Sequence, residues 1–239
     1  MLTGLFSNTI KTCKLLLATF ALLTLSIACA QIPPKKHPKT SGKGWTNLFK
    51  ADLSNATYPK GVWSLTNGEL TATEDKSIWT RRPYNDFILD LEFKTAPGTN
   101  SGVIVYASDT VNWIPNSVEI QIADDYSEEW RKSPAYYQCA AIFGHKAATK
   151  QNVVKQPGAW NRYTITCQGK KIWVVLNNQL VNTIDLSEYT SAKKNPDGTD
   201  IPNWLSKPLS SLPTQGYIGF QGKHAGAPIW FRNIRVQEL

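Results

Sequence analysis

From Trp45 onward no segment of this 239-residue chain carries a sustained 3.6-residue apolar period, which argues against a helical fold. Cysteine is scarce. Of four cysteines, Cys13 and Cys29 fall in the first 30 residues, leaving Cys139 and Cys167. Cys167 alternates in phase with Tyr163 and Ile165, as a core residue would. The pair is either two buried thiols or one disulfide, the latter open to an exported protein. Histidine is equally scarce: beyond His37 there are only His145 and His224. No His/Cys cluster has zinc spacing, and neither a Gly-x-Ser-x-Gly elbow nor a phosphate loop is present. The acidic run Asp124, Asp125, Glu128 and Glu129 could bind calcium, but such runs are more often solvated loops. No metal and no cofactor is therefore assigned.

The formal charge of +8 overstates the basicity of the folded part. Lys11 and Lys14 precede an apolar run from Leu15 to Ile27, followed by small residues. This is the pattern of a secretory signal over residues 1–30, and the run is too short to suggest a spanning helix. Ala28-Cys29-Ala30 fits ordinary cleavage. Ser26-Ile27-Ala28-Cys29 alternatively resembles a bacterial lipobox, with Cys29 lipidated and a lipid anchor as the only link to a membrane. Either route implies export, to the periplasm or as an outer-membrane lipoprotein of a Gram-negative bacterium. Residues 31–43 hold three prolines and four lysines without an acid, and read as a flexible linker. With no basic helix and no basic–aromatic repeat, nucleic acid is not an expected partner.

Residues 44–239 read as one domain. Trp63–Thr66 and Glu69–Ala72 flank Asn67-Gly68, the strongest local hairpin signal. In Phe87–Lys94 the residues Phe87, Leu89, Leu91 and Phe93 share one face, and Ile88, Asp90, Glu92 and Lys94 the other. Further short strands follow, with a tight turn at Asn177-Asn178. About a dozen such strands imply a two-sheet sandwich. Its inner faces should hold Phe87, Leu89, Leu91, Phe93, Val118, Ile120, Ile122, Ile165, Ile218, Phe220, Phe231 and Ile234. In Val118–Ala123, Glu119 and Gln121 then lie together on the opposite face, about 7 Å apart by strand rise. By the same parity Gln221 faces outward beside two glycines, and Arg232 either reaches that groove or forms a structural ion pair. Nine tryptophans and nine tyrosines exceed what a core needs, and a few exposed on a groove would suit sugar rings.

An ordered series of motifs adds to this. Tyr84-Asn85-Asp86-Phe87 through Lys94 is followed by Asn100-Ser101-Gly102-Val103 and Glu119-Ile120-Gln121-Ile122. Then come Trp160-Asn161, Gly216-Tyr217-Ile218-Gly219-Phe220-Gln221 and Phe231-Arg232-Asn233-Ile234. The series resembles the 3-keto-disaccharide hydrolase domain family, from Gly44 to Leu239. The resemblance implies an all-β, concanavalin A-like jelly roll with an open concave face. It implies an enzyme cleaving 3-keto glycosides or 3-keto disaccharides, with a sugar or 3-keto sugar as ligand. In that scheme Glu119 is the base that takes the C2 proton. Arg232 or Gln221 polarises the ketone, His224 or His145 is the acid, and Gln121, Tyr106, Asp124 and Asn100 bind substrate. Two positions depart from the family's pattern. Lys223 stands where the family commonly has the histidine of Gln-x-His-Gly, with His224 and Gly226 following. Tyr106 stands where a strand often ends in Arg. The alternative reading is a non-catalytic glycan-binding sandwich of the cell envelope. A protein-binding envelope domain has no positive feature. Oligomeric state is not legible.

Overall fold

The computed structural model describes residues 34–239. The expected signal, Cys29 and the first residues of the linker lie outside the described residues. The strands in chain order are β1 (Thr46–Asn47), β2 (Ala56–Thr57), β3 (Trp63–Thr66), β4 (Glu69–Ala72), β5 (Ile78–Thr80) and β6 (Phe87–Thr95). There follow β7 (Asn100–Ala107), β8 (Val118–Ala123), β9 (Trp160–Gln168), β10 (Lys171–Leu176), β11 (Gln179–Asp185), β12 (Tyr217–Phe220) and β13 (Ile229–Glu238). Helix among the described residues is limited to α1 (Glu128–Lys132) and four 3-10 turns. The strands form two antiparallel sheets. One has eight strands, in the order β11-β10-β9-β6-β13-β4-β3, with β1 also on β13. The other has five, in the order β2-β5-β12-β7-β8. This is the two-sheet sandwich that the alternating pattern implied and the all-β jelly roll that the family resemblance implied.

Turn chemistry sets the register. Asn67 and Gly68 both have positive φ (51° and 78°), as do Asn177 and Asn178 (48° and 64°), the geometry whose twist matches paired strands. Period-2 alternation then directs Phe87, Leu89, Leu91 and Phe93 inward, each fully buried, against Val118, Ile120, Ile122, Ile218 and Phe220 of the facing sheet. Ile165 and Phe231 join them, while Ile234 is half-buried at the margin. Around Asn233 (φ 52°) the pairing of β13 with β6 slips, a bulge that accounts for the odd spacing of Phe231 and Ile234. Phe220 and Phe231 come from different sheets and stack with ring centres 4.8 Å apart.

A second bulge overturns one expectation. Tyr106 has φ 57°, and β7 changes register against β12 at this point. Val103 and Val105 face the core, Ile104 faces out, and parity would send Tyr106 out as well. The bulge turns it inward instead. Its ring meets Phe87 edge-on at 6.1 Å and its hydroxyl donates to the Gly169 carbonyl at 3.0 Å. Tyr106 is a core residue and does not bind substrate. Cys139 and Cys167 are both buried and unjoined.

The linker is also not free along its whole length. Residues 37–40 cross the outer face of the eight-stranded sheet. His37 Nε2 accepts the Asn178 N–H at 2.9 Å, and its Nδ1 lies 2.8 Å from Thr164 Oγ1. Arg162 donates to the Pro38 carbonyl and Arg235 to that of Thr40, each at 2.9 Å. The segment has no apolar face, so a search for burial overlooks it; hydrogen bonds hold it. Beneath it, Asp90 is buried in contact with Arg162 and Thr164.

Removing one partner of the inter-sheet stack tests the core. Phe231→Ala should lower the unfolding free energy by about 3–5 kcal/mol, because no neighbour can fill the space. Urea denaturation measures this, and a loss under about 1 kcal/mol would show that the sheets do not depend on the stack.

Candidate functional site

The outer face of the five-stranded sheet carries a cleft of about 300 Å³. Its polar lining comes from three adjacent strand ends. Glu119 and Gln121 project from β8, Asn100 from β7, and Gln221 follows β12, with His224 three residues on. Strand parity places the first two. Val118, Ile120 and Ile122 face the core, so Glu119 and Gln121 must face away. Gln221 is fixed by its backbone: its N–H donates to the Gly102 carbonyl at 3.0 Å, and its carbonyl accepts from Ser101 Oγ at 2.8 Å. His224 is brought alongside Asn100 by a backbone bridge between the two.

Gly102 is what lets Glu119 lie where it does. The glutamate crosses the neighbouring strand, and a Cβ on Gly102 would sit 2.1 Å from its Oε1. Any other residue at 102 would push the carboxyl off the sheet. The Glu119 carboxyl accepts no hydrogen bond from the protein among the described residues. Part of it stays open to the cleft, but burial, aided by the Asp75 carboxylate, pushes its pKa up to about 8. Gln121 is buried. Its amide donates to Asn100 Oδ1 at 3.1 Å, yet its own carbonyl oxygen has no hydrogen-bond partner. A buried acceptor left unmatched costs roughly 1–3 kcal/mol, so Gln121 is held here at some expense to the fold.

Asp75, in the turn between β4 and β5, is a site residue that parity could not reveal. Its Oδ2 lies 2.6 Å from His224 Nδ1. An ionised Asp75 accepts from Nδ1–H, which leaves His224 Nε2 for a ligand. The far side of the cleft is apolar, built by Trp113, Ile114, Phe143 and Trp204. The Ala140–Phe143 segment pairs with the free edge of β8, Phe143 N–H bonding to the Glu119 carbonyl at 3.0 Å. Trp204 is exposed, and its buried neighbour Leu205 anchors the loop.

Three other expected site residues lie elsewhere. Arg232 is on β13, in the other sheet, and points to that sheet's outer face on the far side of the sandwich. There it pairs with Glu92 (2.5 Å) and lies 4.0 Å over the Trp160 ring. Parity says which residues face out, but not from which sheet, and the convergence of Arg232 with Glu119 fails for that reason. Asp124 accepts the N–H groups of Gly98 (2.9 Å) and Tyr126 (3.1 Å), so it closes two turns and lines no cleft. His145 is buried against Tyr189, its Nδ1 3.1 Å from Asn195 Oδ1. Burial pushes its pKa down to about 4, and it ties two loops together. The acidic run gathers no metal cluster among the described residues. Asp125 instead accepts from the Cys139 N–H, and Glu128 pairs with Lys132.

A two-sheet sandwich with a carboxyl, an imidazole and amides lining one cleft is an arrangement suited to a carbohydrate-active protein. The chain belongs to the family described as the 3-keto-alpha-glucoside-1,2-lyase-like domain, which it matches over residues 40–237. It is 55% identical to a protein of Parabacteroides distasonis whose crystal structure is described as a "Putative glycosyl hydrolase". That likeness covers 82% of this chain and 99% of the other, with a TM-score of 0.80. A second structure from the same organism, with the same description, shares the fold at 18% identity and a TM-score of 0.67, covering 82% of this chain and 94% of the other. No curated protein matches the chain. Family and relatives place it among carbohydrate-active enzymes.

The raised Glu119 pKa has a stability consequence. The folded state holds this proton up to about pH 8, whereas the unfolded chain releases it near the ordinary value of 4.5. Stability contributed at this position therefore falls as pH rises from about 4.5 to 8. Glu119→Gln should stabilise the protein at pH 8.5 by roughly 1–3 kcal/mol and change little at pH 4. Thermal unfolding at the two pH values reads the difference; equal shifts at both would show that Glu119 ionises freely.

Proposed function

We propose that the protein cleaves the glycosidic bond of 3-keto glycosides or 3-keto disaccharides by elimination followed by hydration. The reading is carried by one observation: a carboxyl of raised pKa shares a cleft with an Asp-held imidazole and three amides. A ketone at C3 acidifies the proton on C2. Glu119 removes that proton, the electron pair forms the C1–C2 double bond, and the C1–oxygen bond breaks. His224 acts as the imidazolium: Asp75 holds Nδ1–H, and Nε2–H gives its proton to the departing oxygen. Water then adds across the enone, its hydroxyl to C1 and a proton to C2, giving the free 3-keto sugar. Such a route needs one base and one acid. It does not need two carboxyls at a fixed separation, as direct hydrolysis does. Asn100 and Gln221 supply hydrogen bonds to the ketone and hydroxyls, and the buried Gln121 amide holds Asn100 in place. With Arg232 on the other face, the amides take over the polarising role expected of it.

We further propose that the chain is exported to the periplasm or held as an outer-membrane lipoprotein through Cys29. The basic start, the apolar run and the small residues before Gln31 support this.

Turnover of 3-keto-trehalose and simple 3-keto glucosides by the purified protein tests the activity. Glu119→Gln should lower kcat by about 10²–10⁴ with little change in affinity, because shape is kept and the base is lost. In the parent, the limb of the kcat/KM profile that reports the base should lie near pH 8 rather than in the ordinary carboxyl range, because Glu119 must ionise to act. An active Glu119→Gln variant overturns the assignment of the base. Sugar binding without turnover in the parent protein points to a glycan-binding module instead.

A further inference from the structure

The cleft is divided in chemistry. Asn100, Glu119, Gln121, Gln221 and His224 lie on the sheet, and the side toward the loops offers only Trp113, Ile114, Phe143 and Trp204. Three of these, Trp113, Phe143 and Trp204, are presented by separate fixed supports. Trp113 meets Trp79 edge-on at 6.2 Å, and Trp79 lies so flat on Gly219 that a Cβ there would be 2.4 Å from its ring. Phe143 is held by its backbone bond to β8 and packs on Tyr137 at 5.1 Å. Trp204 follows from Leu205, which is buried so closely on Gly144 that a Cβ there would meet its Cδ1 at 2.4 Å. Trp204 itself remains 56% exposed and Ile114 40% exposed. Large apolar side chains supported from below and left open at the mouth of a cleft are what a ligand would cover.

We propose that these residues form the subsite for the leaving group of the glycoside, and that the preferred leaving group is a flat apolar alcohol rather than a second sugar. This rests on the activity proposed above. The keto sugar takes the polar floor, where its hydroxyls and ketone find partners. The group on C1 then lies against the loops. A second hexose would carry several hydroxyls into a region whose lining supplies no polar side chain, and each one desolvated without a partner weakens binding. A planar ring loses nothing there and covers Trp204 face to face. Trp204 is on this account the residue that sets specificity.

Benzyl and methyl 3-keto-glucoside isolate the effect, since both leave as simple alcohols. Calorimetry on the Glu119→Gln variant measures affinity without turnover, and 3-keto-trehalose supplies the sugar arm. The benzyl compound should bind about tenfold or more tightly than the other two. Trp204→Ala should remove most of that advantage and leave methyl binding unchanged, and Trp204→Phe should keep much of it. Because Trp204 is exposed, its loss should not unfold the protein, which circular dichroism checks. Equal affinities, tighter binding of the disaccharide, or an advantage that survives Trp204→Ala would each overturn the proposal. Absence of turnover in the parent protein, with the benzyl preference intact, would overturn the proposed activity and leave the apolar subsite standing.

Discussion

The stack of Phe220 on Phe231 is the contact on which the architecture turns. The two rings come from strands of different sheets, and Phe49 and Trp63 pack on either side of them at 5.8 and 6.3 Å. With both inner faces committed to apolar packing, every second residue of each strand is released to the outside. The functional cleft is therefore a by-product of core formation. Ile120 and Ile122 cannot enter the core without turning Glu119 and Gln121 out beside the ends of β7 and β12. The site inherits the rigidity of the sheet, and glycines rather than hinges provide its room.

Parity made much of this legible. The inner faces of β6, β8 and β12 follow directly from alternation, and the Asn-Gly and Asn-Asn turns fix how the hairpins pair. Glu119 and Gln121 could be placed on one face from spacing alone. Gln221 could be turned outward by the same parity, whereas Asn100 and His224, at a strand end and beyond one, needed the family resemblance. Tyr106 was misplaced by a residue of positive φ, which inserts an extra step in the alternation and leaves no compositional trace. Arg232 was misplaced because alternation is blind to which sheet a strand joins. Asp75 and Trp204 sit on loops, where no period operates, and only the folded chain brings them to the cleft. Residues 37–40 were misread for a related reason: hydrogen bonds to a surface have no hydropathy signature.

The cleft is assembled at a cost to the fold. A carboxyl without a protein donor and an amide oxygen without a partner are both kept at the same spot. Neither helps the chain fold. Local destabilisation of this kind is the usual mark of a site that meets its partner only transiently. The contrast with the far face is plain. There Arg162, Asp90, Thr164 and His37 satisfy one another, and Arg232 is spent on Glu92 and Trp160. One sheet surface is electrostatically closed and the other is open.

That closed surface is also where residues 37–40 run, clasped by His37, Arg162 and Arg235. The clasp gives the sandwich a back and a front. The chain ahead of His37 is thereby led off the back of the sandwich, opposite the cleft.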